Sequence, residues 1–162
     1  MKDVSPQAQA DWKAFREAYL HYIRLRMAFF EHWRPELVSV VRAGLSNQAD
    51  ARLAFDFFDC LTEDEKLSAL PELLGLCSSG SYFHRAKPAI VALPRGPVLA
   101  TVEQSAEETL QHGELLDWCN ILDVYEKLDP ELARRFAVRM KGHDDPEIQE
   151  WGRDHLRRLS SA

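Results

Sequence analysis

The sequence predicts an all-α fold, built as a stack of short helices or an irregular bundle of about eight or nine of them. Apolar residues recur every three or four positions through most of the chain, as on the buried face of amphipathic helices. The pairs Asp129-Pro130 and Asp145-Pro146 are helix-start signals, because aspartate accepts from free amides and proline needs no donor in the first turn. Polar breaks at Ser78–Ser81 and Pro94–Pro97 separate the helical patterns.

The first predicted element is a long aromatic helix from Asp11 to Trp33. Its apolar side carries these residues: Trp12, Phe15, Tyr19, Ile23, Met27 and Phe30. We expect this side to be a packing platform, and the alternative is a groove for a partner. Pro35 then starts a short helix that ends at Gly44, so residues 11–44 are assigned as N-terminal capping helices.

The next elements are predicted from Asn47 onward. A helix to Leu61 should turn these residues inward: Leu53, Ala54, Phe57, Phe58 and Leu61. Thr62 and Glu65 form a capping box that starts a further helix ending near Cys77, and Pro71 should kink it. Residues 82–102 fit two helices, which we favour, but two short apolar runs around Pro94–Pro97 also fit a β-hairpin.

The stretch from His112 to Leu159 has the clearest pattern, with three amphipathic helices separated by Gly113 and the two Asp-Pro pairs. The apolar stripe of the last helix consists of Ile148, Trp151, Gly152, Leu156 and Leu159. Glycine there costs roughly 1 kcal/mol, which is best explained by close approach of a neighbouring helix. His155 occupies the middle of the same stripe and is expected to be a core histidine with one hydrogen bond.

Composition indicates one domain, residues 1–162, long enough to bury roughly 70% of its unfolded surface. The net charge of −6 argues against a general nucleic-acid binder, since phosphates require a positive field. Cys60, Cys77 and Cys119 fall at apolar helical positions, which indicates buried thiols in a reducing compartment and hence a cytoplasmic location. Export and membrane insertion are not expected, because no leader pattern or long apolar run is present.

Motifs for chemistry are weak, so we predict no catalytic residue, no cofactor and no metal site. The six histidines have no zinc-binding spacing. The segment His143-Asp144-Asp145 mixes acid and base but coincides with a helix start, where capping is the better interpretation. Ser78, Ser79 and Ser81 lack a nucleophile-elbow motif. Residues 82–87 mix aromatic rings with cations, as single-stranded nucleic-acid sites do, but the segment is short.

Two features carry a resemblance to HEAT-type helical repeats. They are the proline-containing helix from Leu67 to Cys77 and the segment Asp144-Asp145-Pro146-Glu147-Ile148, which leads to Asp154-His155-Leu156. These look like the paired helices of that family over residues 47–159, which implies a curved α-solenoid. The long first helix departs from the family pattern, and the resemblance implies that it caps the stack.

Acidic residues form the strongest electrostatic feature. Residues 103–131 hold nine acids against one base, Lys127. The candidate partner-binding residues are Glu103, Glu107, Glu108, Glu114, Asp117, Asp123 and Glu126. A solvated face is the plainer explanation, and a docking surface for a basic protein is the functional one. Gathering like charges without paired bases costs stability, which favours the second explanation.

These observations predict a non-catalytic protein-binding module. In type, a small acidic helical chain without catalytic motifs is similar to bacterial toxin-immunity proteins, whose carboxylates can occupy the phosphate positions of a basic nuclease toxin. One alternative is a scaffold or chaperone-like subunit of a larger complex. Another is a HEAT-like enzyme acting on nucleic acid, although such enzymes have a basic concave face that the net charge here contradicts.

Overall fold

The computed structural model describes residues 4–78 and 80–160, and every regular element within these ranges is helical. The α-helices are α1 Pro6–Trp33, α2 Leu37–Leu45, α3 Ala51–Phe58, α4 Glu63–Ser68, α5 Leu70–Ser78, α6 Phe83–Val91, α7 Arg95–Gln111, α8 Leu115–Leu128, α9 Pro130–Lys141 and α10 Pro146–Ser160. A 3-10 turn covers Arg34–Glu36. The all-α prediction, with a long N-terminal helix, is confirmed.

The chain forms two compact units, divided between Ser39 and Val40 within α2. The sequence placed a similar division after Gly44, and its assignment of both parts to one domain stays a prediction. In the first unit, α1 starts with Pro6 in its first turn, and the Ser5 hydroxyl accepts from the Ala8 amide at 3.2 Å. All 28 residues of α1 are described and none is buried. Its capping role stays a prediction.

Local signals start the later helices as predicted. The Thr62 amide donates to Glu65 Oε2 at 2.8 Å, and the Glu65 amide donates to Thr62 Oγ1 at 3.4 Å, which completes the capping box of α4. Asp129 Oδ1 accepts from the amides of the first turn of α9. Asp145 Oδ1 accepts from the Glu147 amide at 2.8 Å, which confirms a capping role at the start of α10.

Two stretches differ in detail from the predicted helices. The predicted kink at Pro71 is a full break, and separate helices α4 and α5 replace one bent helix. Pro71 has no amide proton to donate to the Leu67 carbonyl and its ring crowds that turn, so α4 ends with Ala69 as its C-cap and α5 starts at Leu70. Residues 82–102 form helices rather than a hairpin, and Pro97 lies in the first turn of α7, where no donor is needed.

The second unit is built around α5 and α8. Helix α5 packs against α4, α6, α7 and α8, whereas α8 packs against α5, α6, α7, α9 and α10. Buried residues one turn apart line these contacts, for example Val98, Val102, Ala106 and Leu110 on α7. The extensive contacts join helices that are at most three apart in chain order. Both a stack and a small bundle show this connectivity, so the HEAT-type resemblance stays a prediction.

Some side chains face the opposite way from that predicted. Leu53 is 49% exposed, whereas Ala51 and Phe55 are buried, so the buried face of α3 is rotated from the predicted one. Trp151 is 46% exposed although it was assigned to the buried stripe of α10. Cys60 lies beyond the end of α3 and is exposed, whereas Cys77 is buried as predicted.

Candidate functional site

The seven predicted partner-binding residues lie on two consecutive helices and the turn between them. Glu103, Glu107 and Glu108 are exposed on α7, and Glu114 is the residue before α8. The other three residues, Asp117, Asp123 and Glu126, belong to α8. The structure therefore places these residues in several different environments.

Two carboxylates of α7 pair with arginines of α9. Glu103 Oε2 accepts from Arg135 Nη2 at 3.1 Å. Glu107 forms a bidentate pair with Arg139, with distances of 2.5 and 2.9 Å. The Arg139 guanidinium also lies 5.1 Å from the centre of the Trp118 ring, and its hydrogen bonds to Glu107 raise its pKa. About half of each paired side chain is exposed, so these pairs contribute little to stability.

Two carboxylates of α8 pair with bases from more distant helices. Asp123 pairs with Lys87 of α6. Glu126 Oε1 lies 3.0 Å from Nδ1 of His155, a buried residue of α10. Burial lowers the pKa of His155, Glu126 opposes this shift, and Arg158 adds to it. The expectation that His155 is a core histidine is confirmed, and its Nε2 is buried without a hydrogen-bond partner among the described residues.

Asp117 has a structural task, because its Oδ2 accepts from the Glu114 amide at 2.7 Å at the start of α8. The idea that the acidic set lacks basic partners is therefore wrong for Glu103, Glu107, Asp123 and Glu126. Their partners come from α6, α9 and α10, which are separated from them in sequence. Glu108 and Glu114 form no ion pair with any residue that the structure describes, and their role in binding stays a prediction.

Glu108 lies on the wall of a cleft of about 520 Å³, which we call the α5–α7 cleft. Its polar lining comes from three places in the chain. Ser46 and Gln48 follow α2, Glu72 belongs to α5, and Ser105, Glu108 and Thr109 belong to α7. The volume lies within the range of small-molecule and side-chain pockets. Two carboxylates and several hydroxyl groups therefore converge on one opening.

Glu72 is the most buried acid of this cleft, with 14% of its side chain exposed. Its Oε1 accepts from both Nε and Nη2 of Arg42, at 2.9 and 2.8 Å. Its Oε2 is buried and has no hydrogen-bond partner among the described residues. A buried polar atom left unsatisfied costs about 1–3 kcal/mol, and this oxygen has too little accessible surface for a ligand in the cleft to contact it.

Sequence reasoning missed Glu72, because the Pro71-Glu72 pair was interpreted only as a helix kink. The available signal was that Glu72 is the one charged residue in α5, whose other members are apolar or small. Ser46, Ser105 and Thr109 gave no signal, since isolated hydroxyl residues occur on most helix surfaces. Only the folded chain brings these residues to the side of Glu108.

The other candidate sites named from the sequence are a metal site, the serines near residue 80 and the aromatic and basic segment at residues 82–87. Among residues 4–78 and 80–160, no group of three His, Cys, Asp or Glu side chains is placed to hold a metal ion. Ser78 donates to the Gly75 carbonyl at 2.8 Å, and Ser79 lies outside the described residues. In the aromatic and basic segment, Arg85 lies 4.5 Å from the Phe55 ring centre, and Lys87 is paired with Asp123.

No helix in the described part of the chain combines the length and the apolar character needed to cross a bilayer. Comparisons with protein-family models, with curated proteins and with solved structures find no match to this chain. The α5–α7 cleft and the acidic residues beside it are therefore the features of the described chain that point to a function.

Proposed function

We propose that this chain is a non-catalytic module that binds a basic protein, and more narrowly an immunity protein that neutralises a cognate bacterial toxin. The observation that carries the proposal is Glu108, an exposed carboxylate on the wall of the α5–α7 cleft that forms no ion pair with any described residue. The other carboxylate of the cleft, that of Glu72, is already paired with Arg42. Glu108 therefore favours a positively charged group over a neutral or negative one at this opening.

The surroundings of the cleft support a protein rather than a free ion as the ligand. Glu103 and Glu107 extend the acidic surface from Glu108 along the same helix. Their arginine partners are about half exposed, so a basic partner can compete for these carboxylates at modest cost. Binding through such a surface should have a fast association rate that falls with ionic strength.

The test is co-expression with the proteins encoded beside this chain in its genome. Each neighbour is produced in bacteria with and without this chain, and survival and complex formation are measured. We expect a basic neighbour to be toxic alone and harmless when co-produced, with a complex that weakens as salt rises. Neighbours that are all harmless, or toxic regardless of this chain, would contradict the immunity proposal.

A charge-reversal variant tests the acidic surface itself. Glu107→Lys, Glu108→Lys and Asp117→Lys are combined, and we expect binding and protection to be lost. The matched control combines Glu131→Lys, Glu147→Lys and Glu150→Lys, which change the net charge equally on exposed positions of α9 and α10. Circular dichroism checks that both variants stay folded. Full protection by the first variant would refute the surface.

A further inference from the structure

Helix α1 presents an exposed apolar face along much of its length. The exposed fractions are 66% for Trp12, 63% for Phe15, 54% for Tyr19, 46% for Leu20 and 59% for Met27. At 3.6 residues per turn, these five residues lie within roughly 140° of the helix circumference. Single exposed apolar residues are common on protein surfaces, but a contiguous stripe of large ones marks an interaction surface.

We propose that this face binds the same face of a second copy of the chain, as an antiparallel pair of α1 helices. Twofold pairs are the commonest assemblies of soluble proteins, and both copies then use one surface that must complement itself. The proposal goes beyond the immunity function and is independent of it, because the acidic residues of that function lie on α7, on α8 and in the turn between them.

The exposed apolar area is large enough for such a pair. Aromatic side chains offer about 150–250 Å² each for burial, so the exposed parts of Trp12, Phe15 and Tyr19 amount to roughly 300–400 Å² per chain. With Leu20 and Met27 included, two copies would together bury on the order of 1,000 Å², which is the size expected of a biological interface. Removal of this area from water is the main driving force for the pair.

The charged edge of the face favours the antiparallel orientation. The exposed residues along one side of the apolar arc are, in order, Lys13, Glu17, Arg24 and Glu31. In an antiparallel twofold pair, the same edges of the two helices lie side by side, so acid is set against base. Glu17 faces Arg24 of the second copy, and Lys13 faces its Glu31. A parallel twofold pair separates these edges and gains nothing from their charges.

The same offset brings apolar side chains together. With Glu17 opposite Arg24, Tyr19 and Leu20 lie near the centre of the pair. Trp12 lies within about 3 Å, along the helix axis, of Met27 of the second copy. A methionine packs favourably against an aromatic ring. Arg16 also lies within the arc, and its long side chain can carry its charge to water while its stem packs.

The balance of charge on α1 favours a protein over a lipid surface as the ligand of this face. Amphipathic helices that lie in a membrane interface have a strongly basic polar face. Helix α1 carries four Lys or Arg residues against three Asp or Glu residues. The alternation of these charges is suited to a surface of similar composition, which a second copy provides.

Sedimentation equilibrium of the whole protein over a concentration series measures the association. We expect a monomer–dimer equilibrium that Trp12→Ser weakens by at least about tenfold. Leu25→Ser is the matched control, because Leu25 is 57% exposed but lies on the opposite side of α1. Its dissociation constant should stay within about twofold of the native value. Circular dichroism checks that each variant keeps its helical content.

A native chain that is monomeric at all concentrations up to about 0.1 mM would overturn the proposal. This includes a monomer that binds vesicles of phosphatidylserine and phosphatidylcholine through Trp12 instead. Equal losses of association from the Trp12 and Leu25 variants would overturn the proposal as well.

A charge swap tests the orientation. Glu17 and Arg24 are seven residues apart, about 10 Å along one helix, which is too far for them to pair within a copy. Glu17→Arg should weaken the dimer about three- to tenfold, because it sets like charges together twice in the symmetric pair. Adding Arg24→Glu should restore the dissociation constant to within about twofold of the native value. A double variant that associates no more tightly than Glu17→Arg alone would overturn the antiparallel pair.

Discussion

Gly152 of α10 lies directly against the backbone of Lys141 in α9. A Cβ placed on Gly152 would stand 2.6 Å from the Lys141 nitrogen and 2.8 Å from the Ala137 carbonyl oxygen. Both contacts are to backbone atoms, which cannot move aside as a flexible side chain can. The close helix approach predicted from a glycine in an apolar stripe is confirmed.

Replacing Gly152 by alanine should therefore destabilise the protein. Alanine favours the helix by about 1 kcal/mol, but overpacking against backbone costs about 1–3 kcal/mol or more. We expect the cost to exceed the gain, with a net fall of up to about 2 kcal/mol in the free energy of unfolding, measured with urea. Gly75→Ala is the control, because nothing lies within 4 Å of a Cβ there. It should raise stability by about 0.5–1 kcal/mol, and a stabilised Gly152→Ala would contradict the contact.

The free energy of unfolding should fall as pH is lowered through the titration range of His155. Burial lowers the pKa of His155 in the folded chain, against the opposing effect of Glu126. The unfolded chain therefore takes up its proton first, near pH 6.5, and stability declines from there until the folded residue is protonated. NMR titration of the His155 ring measures the pKa directly. Glu126→Gln should lower it further, and a value above about 6.5 in the native chain would refute this assignment.

The bidentate pair between Glu107 and Arg139 should be energetically weak despite its geometry. Both side chains are about half exposed, with values of 53% and 45%. A double-mutant cycle with Glu107→Gln and Arg139→Gln should give a coupling below about 1 kcal/mol that shrinks at high salt. The cycle is needed because Arg139→Gln also removes the contact with Trp118. A coupling of several kcal/mol would show that the carboxylate is not available to a partner.

The cysteines should react at very different rates with a thiol reagent such as Ellman's reagent. Cys60 is exposed, whereas burial raises the pKa of the Cys77 thiol to about 12 and also raises that of Cys119. Thiolate is the reactive form, so we expect one fast thiol in the native protein and three in denaturant. Cys60→Ser should remove the fast phase. Rapid modification of native Cys77 would contradict its burial.

Local signals made much of the helical structure predictable. Thr62, Asp129 and Asp145 act through amides within three residues of themselves, so their neighbours in sequence contain all the needed information. The rotation of α3 was not predictable in this way. Leu53 and Phe55 are both strongly apolar, and only the position of the neighbouring helices decides which of them is buried.

The candidate site was predictable only in part, because its contacts join distant segments. Glu108 was identified as a member of an acidic run. Glu72, which lines the same cleft, belongs to another helix and lies in an apolar run, where only a kink at Pro71 was predicted. The pairing of Glu107 with Arg139, 32 residues apart, was likewise hidden. Charge counts within a window of sequence miss such partners, since bases outside the window neutralise the acids inside it.

The central position of α8 makes the unfolding of the second unit cooperative. The extensive contacts of α9 and α10 are with each other and with α8, and α8 also holds α5, α6 and α7. Any fluctuation that frees α8 from its neighbours must expose most of the apolar interior of residues 70–160 at once. The amide protons of α8 should therefore exchange with solvent only through global unfolding.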